Sequence, residues 1–395
     1  MNSRRAPTHP CLVVCPPGLE ELVAEELVAL GARPGRRGKG TVTVDLTTRR
    51  LYAANLFLRC ATRVLVRVGG FTVRTFADLE RRIGEMDWDA WLAPDTVPRF
   101  RVTTRHSKLW HDGAIAERFA AALGPGSRTG ESTDVSADRS DEASTQLIVV
   151  RAVDDRFTVS IDSSGAPLHE RGWRQATAKA PLRESVASGL LSSAGWDPSA
   201  PLVDPMCGSG TIAIEAALRA AGVPPAHDRD LALRTWSCFE PGTWASVSAD
   251  AGRMRSEAPV PDGHGPPRIV AADRDAGAIE AARANAERAG VADRIEFRVA
   301  PVAALEPPGG AGPSSEPAPG LVATNPPWGG RLGGGDLRNL YATLGRVAAE
   351  QCPGWGIGVL VADRALARQV RPGLTEQLHL ELGGRPAHWL TGRLG

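Results

Sequence analysis

The chain has 395 residues, 42% hydrophobic and 23% charged, which allows two or three globular domains with ordinary cores. Lys plus Arg (46) balances Asp plus Glu (45), so no global basic field exists and any nucleic-acid contact has to come from a local patch. The six cysteines, Cys11, Cys15, Cys60, Cys207, Cys238 and Cys352, form no C-x-x-C pair, and His106, His111 and His169 lack ligand spacing, so no metal is expected. The amino terminus is polar and no long apolar run occurs; signal peptide and membrane span are not expected, and a cytoplasmic protein is.

In chain order, residues 12–14 read as a strand, and residues 18–27 as an amphipathic helix ended by Gly31. Residues 41–44 alternate as a strand, 51–60 are helical and 63–68 form another strand, together a small α+β module. Arg33, Arg36, Arg37 and Lys39 fall in a glycine-containing stretch read as a solvated loop. A second module follows: helix 76–83, strand 99–104, helix 114–123, and the strand pair 146–150 and 156–161. Arg99, Arg101, Arg105, Lys108 and Arg118, with Trp110, read either as an RNA-facing patch or as a solvated arginine-rich face. Residues 124–144 are rich in Gly, Ser, Thr and Asp and predict a mobile loop.

Strand 201–203 leads into Asp204-Pro205-Met206-Cys207-Gly208-Ser209-Gly210-Thr211 and a helix from 212 to 219. Strand, glycine loop, helix lets backbone amides approach a ligand closely. The spacing is neither the G-x-G-x-x-G dinucleotide fingerprint nor a phosphate loop ending in Gly-Lys-Ser/Thr. Asp204 puts a carboxylate at the strand end, suited to a positive group such as an amino-acid ammonium. A second apolar run, 267–272, ends in Asp273, followed by Arg274, Asp275 and a helix from 276 to 289. A carboxylate at Asp273 can take both hydroxyls of a ribose, while Asp275 is placed to cap the helix. The interval from the glycine loop far exceeds the usual ~20 residues, so residues 222–265 are an insertion.

Strand 295–299 runs into Ala300-Pro301, and residues 249–267 and 307–320 read as soft segments. Residues 321–324 then deliver Asn325-Pro326-Pro327-Trp328. The Asn325 side-chain oxygen and a proline carbonyl can accept both hydrogens of a planar NH₂ group, and the indole can stack on the ring that bears it. Residues 356–361 read as a late sheet strand and 378–394 as a closing hairpin; no internal repeat is visible.

Asp204 to Thr211, Asp273, and Asn325 to Trp328 resemble the methionine-binding loop, ribose acid and amino-methylation motif of class I S-adenosylmethionine-dependent methyltransferases. Residues 168–174, 179–184 and 162–165, with Trp236 to Trp244 in the insertion, resemble one branch, the THUMP-domain RNA guanine-N2 methyltransferases of the 23S rRNA and tRNA type. The resemblance implies an α/β fold: a Rossmann-like class I methyltransferase domain (166–395), preceded by an α+β ferredoxin-like module (1–65) and a THUMP RNA-binding domain (66–165). It implies catalysis by Asn325, Pro326, Pro327 and Trp328. The cofactor S-adenosyl-L-methionine would lie on Asp204, Pro205, Cys207, Gly208, Ser209, Gly210, Thr211, Asp273, Arg274, Ala300 and Asn325. Many relatives carry a polar residue where Ala300-Pro301 stands, so adenine would either be held here by apolar contact and backbone or be bound with reduced affinity. The implied partner is structured RNA, rRNA favoured over tRNA, with no membrane and no obligate protein partner. Adenine-N6 or glutamine methylation, and an inactive RNA-binding protein, are the competing readings.

Overall fold

The computed structural model describes residues 7–124, 128–129, 145–175, 182–258, 269–308, 319–329 and 334–395. The chain folds into two compact units: Met1–Cys15, Val23–Leu168 and Asp228–Ala249 form one, and Pro16–Leu22, His169–His227 and Asp250–Gly395 the other.

The first unit is built on one eight-stranded sheet. Its elements are β1 (Thr8–Val14), β2 (Pro34–Gly38), β3 (Thr41–Thr47), α2 (Thr48–Phe57), β4 (Arg63–Thr72), α3 (Phe76–Gly84), β5 (Val97–Arg105), α4 (Asp112–Leu123), β6 (Arg128–Thr129), β7 (Thr145–Val153) and β8 (Arg156–Asp162). Helix α1 (Glu20–Ala29) starts in the second unit and ends in the first. The spatial order is β2-β3-β1-β4-β8-β7-β5-β6. The alternation Thr41-Val42-Thr43-Val44 buries both valines, as period-two patterning requires. Local caps set the helix starts: Thr47 accepts from the Arg50 amide, Thr75 from Asp78 and the His111 ring from Ala114. The 33–39 segment, expected to be a loop, supplies edge strand β2 instead; its exposed Gly35, Arg36 and Arg37 carry no alternation to announce it. Most of the expected 124–144 loop lies outside the described residues.

Residues 162–165 knot this unit together. The buried Arg63 guanidinium pairs with Asp162, whose Oδ atoms also accept the Ser164 and Gly165 amides (3.0 and 3.2 Å). Asn55 donates to Ser163 Oγ (2.8 Å) and accepts from Ser164 Oγ (2.7 Å). Gln146 donates to the Asp162 carbonyl (2.8 Å), and the insertion's Trp236 donates its indole N–H to Gln146 Oε1 (2.7 Å). So the middle of the insertion belongs to this unit: Leu233 and Trp236 are buried, and half-buried Phe239 and Trp244 pack on Tyr52.

The second unit contains α5 (Glu184–Ser193), β9 (Leu202–Asp204), α6 (Thr211–Ala220), the end of α7 (Pro241–Ser256), β10 (Ile269–Asp273), α8 (Ala276–Arg288), β11 (Ile295–Val299), β12 (Leu321–Thr324), α9 (Gly334–Gln351), β13 (Gly356–Val361), α10 (Arg364–Val370), β14 (Thr375–Leu382) and β15 (Arg385–Arg393). The sheet order is β11-β10-β9-β12-β13-β15-β14. Strands β9 to β13 are mutually parallel, and β15 runs antiparallel to both β13 and β14. Helices on such a sheet bury the strands on both faces, which is why all four residues of β12 are buried. Val203, Val322, Tyr341, Leu344, Trp355 and Ile357 belong to its core. The expected soft segment 249–267 is helical through Ser256, as α7; residues 259–268 and 309–318 lie outside the described residues. Among the described residues no helix is long and apolar enough to cross a membrane.

Candidate active site

In an open parallel sheet, ligands bind beyond the carboxyl ends of the strands where the strand order reverses. Here that point lies between β9 and β12, which pair directly through Leu202↔Leu321 and Val203↔Val322. The last residue of β9 is Asp204, the last of β10 is Asp273, and Asn325 follows β12. Topology therefore brings together three residues separated by up to 121 positions, all at one end of the sheet.

The loop after β9 is held from below by backbone and from the side by Asp273. The Cys207 amide donates to the Ala272 carbonyl (2.9 Å), and the Gly210 amide to the Cys207 carbonyl (2.9 Å). Asp273 Oδ2 accepts the Gly208 amide and Oδ1 the Asp275 amide, both at 3.0 Å. Gly208 (φ +52°) and Gly210 (φ +85°) hold left-handed backbone, which favours glycine. A Cβ on Gly210 would also stand 3.0 Å from that of Ala282, so a side chain would force α6 and α8 apart. Above Gly208 the space is open, with nothing among the described residues within 4 Å of a Cβ, leaving room for a ligand against the backbone. Asp275 caps α8 as expected, accepting the Gly277 (2.8 Å) and Ala278 (3.4 Å) amides.

Asp204 is buried, and its Oδ1 accepts the Met206 amide at 3.3 Å. Burial pushes its carboxyl up to about 7, and the nearby Asp273 adds to the rise against the opposing pull of Thr324 and Met206. An ammonium beside it would reverse that shift by favouring the carboxylate. Burial, with Asp204 and Asp273 adding to it, also holds the Cys207 thiol well above its ordinary range, so this cysteine is neutral and serves as packing.

Asn325 Oδ1 is out of solvent and has no hydrogen-bond partner among the described residues. A buried amide oxygen left so costs ~1–3 kcal/mol, and a ligand N–H is the natural donor to satisfy it. Next to it the Trp328 indole N–H donates to the Leu360 carbonyl (3.1 Å), which fixes the plane of the ring. The Pro327 carbonyl is occupied by the Tyr341 hydroxyl (3.2 Å). That leaves the Pro326 carbonyl as the candidate second acceptor for an amine. Pro205, Ser209 and Thr211 are buried in the loop, Arg274 is exposed, and the Ala300 amide donates to the Asp273 carbonyl (2.9 Å).

Several supporting residues, some of them inside the stretches that carry the resemblance, had no individual role readable from the sequence. Asn285 on α8 donates to the Ser209 carbonyl (3.1 Å). Arg174 donates to Thr211 Oγ1 (2.9 Å) and to the Leu182 carbonyl (2.7 Å), and pairs with Glu184 at 3.3 Å. Arg171 forms a buried pair at 3.3 Å with Glu215 of α6. These explain why residues 171–174 accompany the glycine loop; Lys179 to Pro181 lie outside the described residues.

The proposed RNA-facing group is corrected at one position. Arg101 is 1% exposed: alternation along β5 sets it on the face opposite Phe100 and Val102, and that face is covered at this position too. Arg105 is exposed, Arg99 is half-buried, and Arg118 pairs with Glu80 (3.2 Å) over the Phe76 ring.

The residues present suit S-adenosylmethionine: a buried carboxylate for the ammonium, a second carboxylate for the ribose, open glycine backbone between, and an orphaned amide oxygen at the far side. Comparison with known proteins agrees. Residues 171–390 match the RMKL-like methyltransferase domain, and residues 11–65 match the RlmL ferredoxin-like domain. A Synechocystis protein provisionally named an RNA methyltransferase is 31% identical over 388 residues, covering 96% of each chain. The large-subunit rRNA methyltransferase K/L of Aliivibrio salmonicida is 33% identical over 95% of this chain, which spans 52% of that longer protein. Among solved structures, a methylase-like protein of Clostridium difficile is 26% identical with a TM-score of 0.80, covering 98% of each chain. The chain therefore belongs to the RMKL-like family of S-adenosylmethionine-dependent methyltransferases.

Proposed function

We propose that this enzyme methylates the exocyclic N2 of a guanine in structured RNA, with large-subunit ribosomal RNA as the favoured substrate. The observation that carries the reading is the buried Asn325 Oδ1, unpartnered among the described residues, beside an indole whose plane is fixed by Leu360. That pair suits a planar amine on an aromatic ring, and the rRNA assignment leans on the Aliivibrio relative. When bound, S-adenosylmethionine supplies an electrophilic methyl on sulfonium. Asn325 and the Pro326 carbonyl hold the amine hydrogens, which aims the nitrogen lone pair and stabilises charge as the nitrogen becomes tetrahedral. Orientation of this kind contributes up to ~7–11 kcal/mol in favourable cases. Trp328 stacks on the base once it has left its helix, where unstacking costs a few kcal/mol. Asp204 and Asp273 place the cofactor and take no proton from the substrate. Arg99, Arg105, Lys108 and exposed Trp110 on the first unit, which we read as containing a THUMP-type module, are the proposed RNA contacts.

Adenine N6 is the second reading, because the same acceptors would hold that amine. A solved structure from Listeria monocytogenes, 29% identical with a TM-score of 0.78 and covering 97% of this chain, is named a predicted N6-adenine-specific DNA methylase. Mass spectrometry of nucleosides from fractionated rRNA and tRNA of a strain lacking the gene distinguishes them. Loss of N2-methylguanosine from large-subunit rRNA supports the proposal; loss of N6-methyladenosine instead rejects it.

A further inference from the structure

Glu376 and His379 on β14 and His388 on β15 converge outside the methyl-transfer machinery. Their donor atoms lie close together: His388 Nδ1 is 2.9 Å from Glu376 Oε1 and 3.2 Å from His379 Nδ1, and His379 Nδ1 is 3.5 Å from Glu376 Oε1. We propose that Glu376, His379 and His388 form a binding site for one zinc-class divalent cation.

Three features of this hairpin support the assignment. First, the separations match a shared ion: bonds of ~2.0–2.1 Å at tetrahedral angles put ligand atoms ~3.3 Å apart. Second, the backbone is arranged to bring the donors to one side. His379 and His388 are directly opposed across the hairpin. Glu376 is three residues before His379, so in a regular strand the two would point to opposite faces. A register shift between Glu376 and Leu378 resets that alternation, which is how a bulge re-aims a side chain. Third, the composition suits a borderline-soft ion. Two imidazoles and one carboxylate favour zinc or cobalt, whereas calcium and magnesium want all-oxygen sites. His379 is 64% exposed, so the fourth position opens to water.

Arg364, at the start of α10, stands beside the cluster. It pairs with Glu376 through Oε2, which leaves Oε1 for the ion. Its Nε also stands 3.3 Å from His388 Nδ1, but the shorter 2.9 Å contact of Nδ1 with the Glu376 carboxylate, which can only accept, needs a proton on Nδ1, so an ion that takes Nδ1 displaces that proton and the Arg364 contact together. Its side chain is 55% exposed and free to withdraw from His388 while keeping Glu376 oriented.

The test is titration of the full chain with cobalt(II), read by visible ligand-field absorption, with zinc as competitor. The expected result is one cobalt per chain with a tetrahedral spectrum, displaced by one equivalent of zinc. His379→Ala should abolish it, Glu376→Gln should weaken it at least tenfold, and Arg364→Ala should retain it. His379 is exposed, so its loss does not threaten the fold. Absence of cobalt absorption, an unchanged spectrum in His379→Ala, or a thiolate charge-transfer band from one of the six cysteines would each overturn the assignment. Failure of wild type with success of Arg364→Ala would also overturn it, by showing that Arg364 is the cluster's resident cation.

Discussion

Asp273 does two things at once, and replacing it should expose both. Its carboxylate holds the Gly208 and Asp275 amides at 3.0 Å and is assigned to the cofactor ribose. Hydrogen bonds to a charged group are worth ~1.5–3 kcal/mol. Losing the net equivalent of one raises the dissociation constant ~10- to 150-fold at 1.4 kcal/mol per decade. Asp273→Ala loses the ribose contact and also frees the Gly208 amide, so the loss should fall in the upper part of that range. Asp273→Asn should not rescue, because its NH₂ would face one of the two amide donors. The assay is calorimetry with S-adenosylhomocysteine, alongside circular dichroism to verify the fold. Asp275→Ala, which removes only the α8 cap at ~1 kcal/mol, should lower the melting temperature and leave affinity within threefold. An Asp273→Ala protein that is folded and binds within threefold of wild type would refute the assignment.

Asp204 gives a pH signature. Its carboxyl sits at about 7 in the folded chain against 3.8 ordinarily, so the free protein loses stability as pH rises from the ordinary carboxylate range to about 7, and no further above it. A ligand ammonium needs the carboxylate, so affinity for S-adenosylhomocysteine should rise about tenfold between about pH 6 and pH 8; a flat profile, or one retained in Asp204→Asn, contradicts the role. Trp328→Ala should slow transfer more than Trp328→Tyr or Trp328→Phe, which keep a stacking face but lose the bond to the Leu360 carbonyl; equal rates for Ala and Tyr would argue against stacking. Arg101→Ala should lower the melting temperature by several degrees, whereas Arg105→Ala and Lys108→Ala should weaken RNA binding and reduce its salt dependence with the fold unchanged, measured by filter binding across salt concentrations.

The site was more legible than its support. Asp204, Gly208, Gly210, Asp273 and Asn325 could be read because each stands at or just past the end of an apolar run, and strand ends in a doubly wound sheet are where ligands bind. Asp275 was readable as a cap for the same local reason. The first unit's elements followed from period and turn residues, except β2, whose Pro-Gly-Arg-Arg-Gly sequence has no alternation, and the two-residue β6, which falls within the expected 124–144 loop. The role of the insertion was not legible: that Trp236 would bond Gln146 depends on residues 90 positions apart. Arg101 resembles its neighbours in sequence because arginines along a strand look alike until burial separates them. The Glu376, His379 and His388 cluster was invisible for a related reason, since only a bulge makes the i and i+3 positions of a strand share a face.

The most direct test of the central claim is single-turnover methyl transfer by wild type and Asn325→Ala to large-subunit rRNA lacking the modification, with the product nucleoside identified. The resemblance implies both a cofactor and a catalytic role for Asn325; the proposed function gives its buried oxygen, unpartnered among the described residues, to the target amine. A polar contact that strengthens in the transition state is worth ~2.7–4 kcal/mol by analogy with oxyanion donors. Asn325→Ala should therefore slow formation of N2-methylguanosine by about 10²–10³-fold while S-adenosylhomocysteine affinity stays unchanged. Near-normal transfer by Asn325→Ala, or a wild-type product methylated on adenine, would contradict the account.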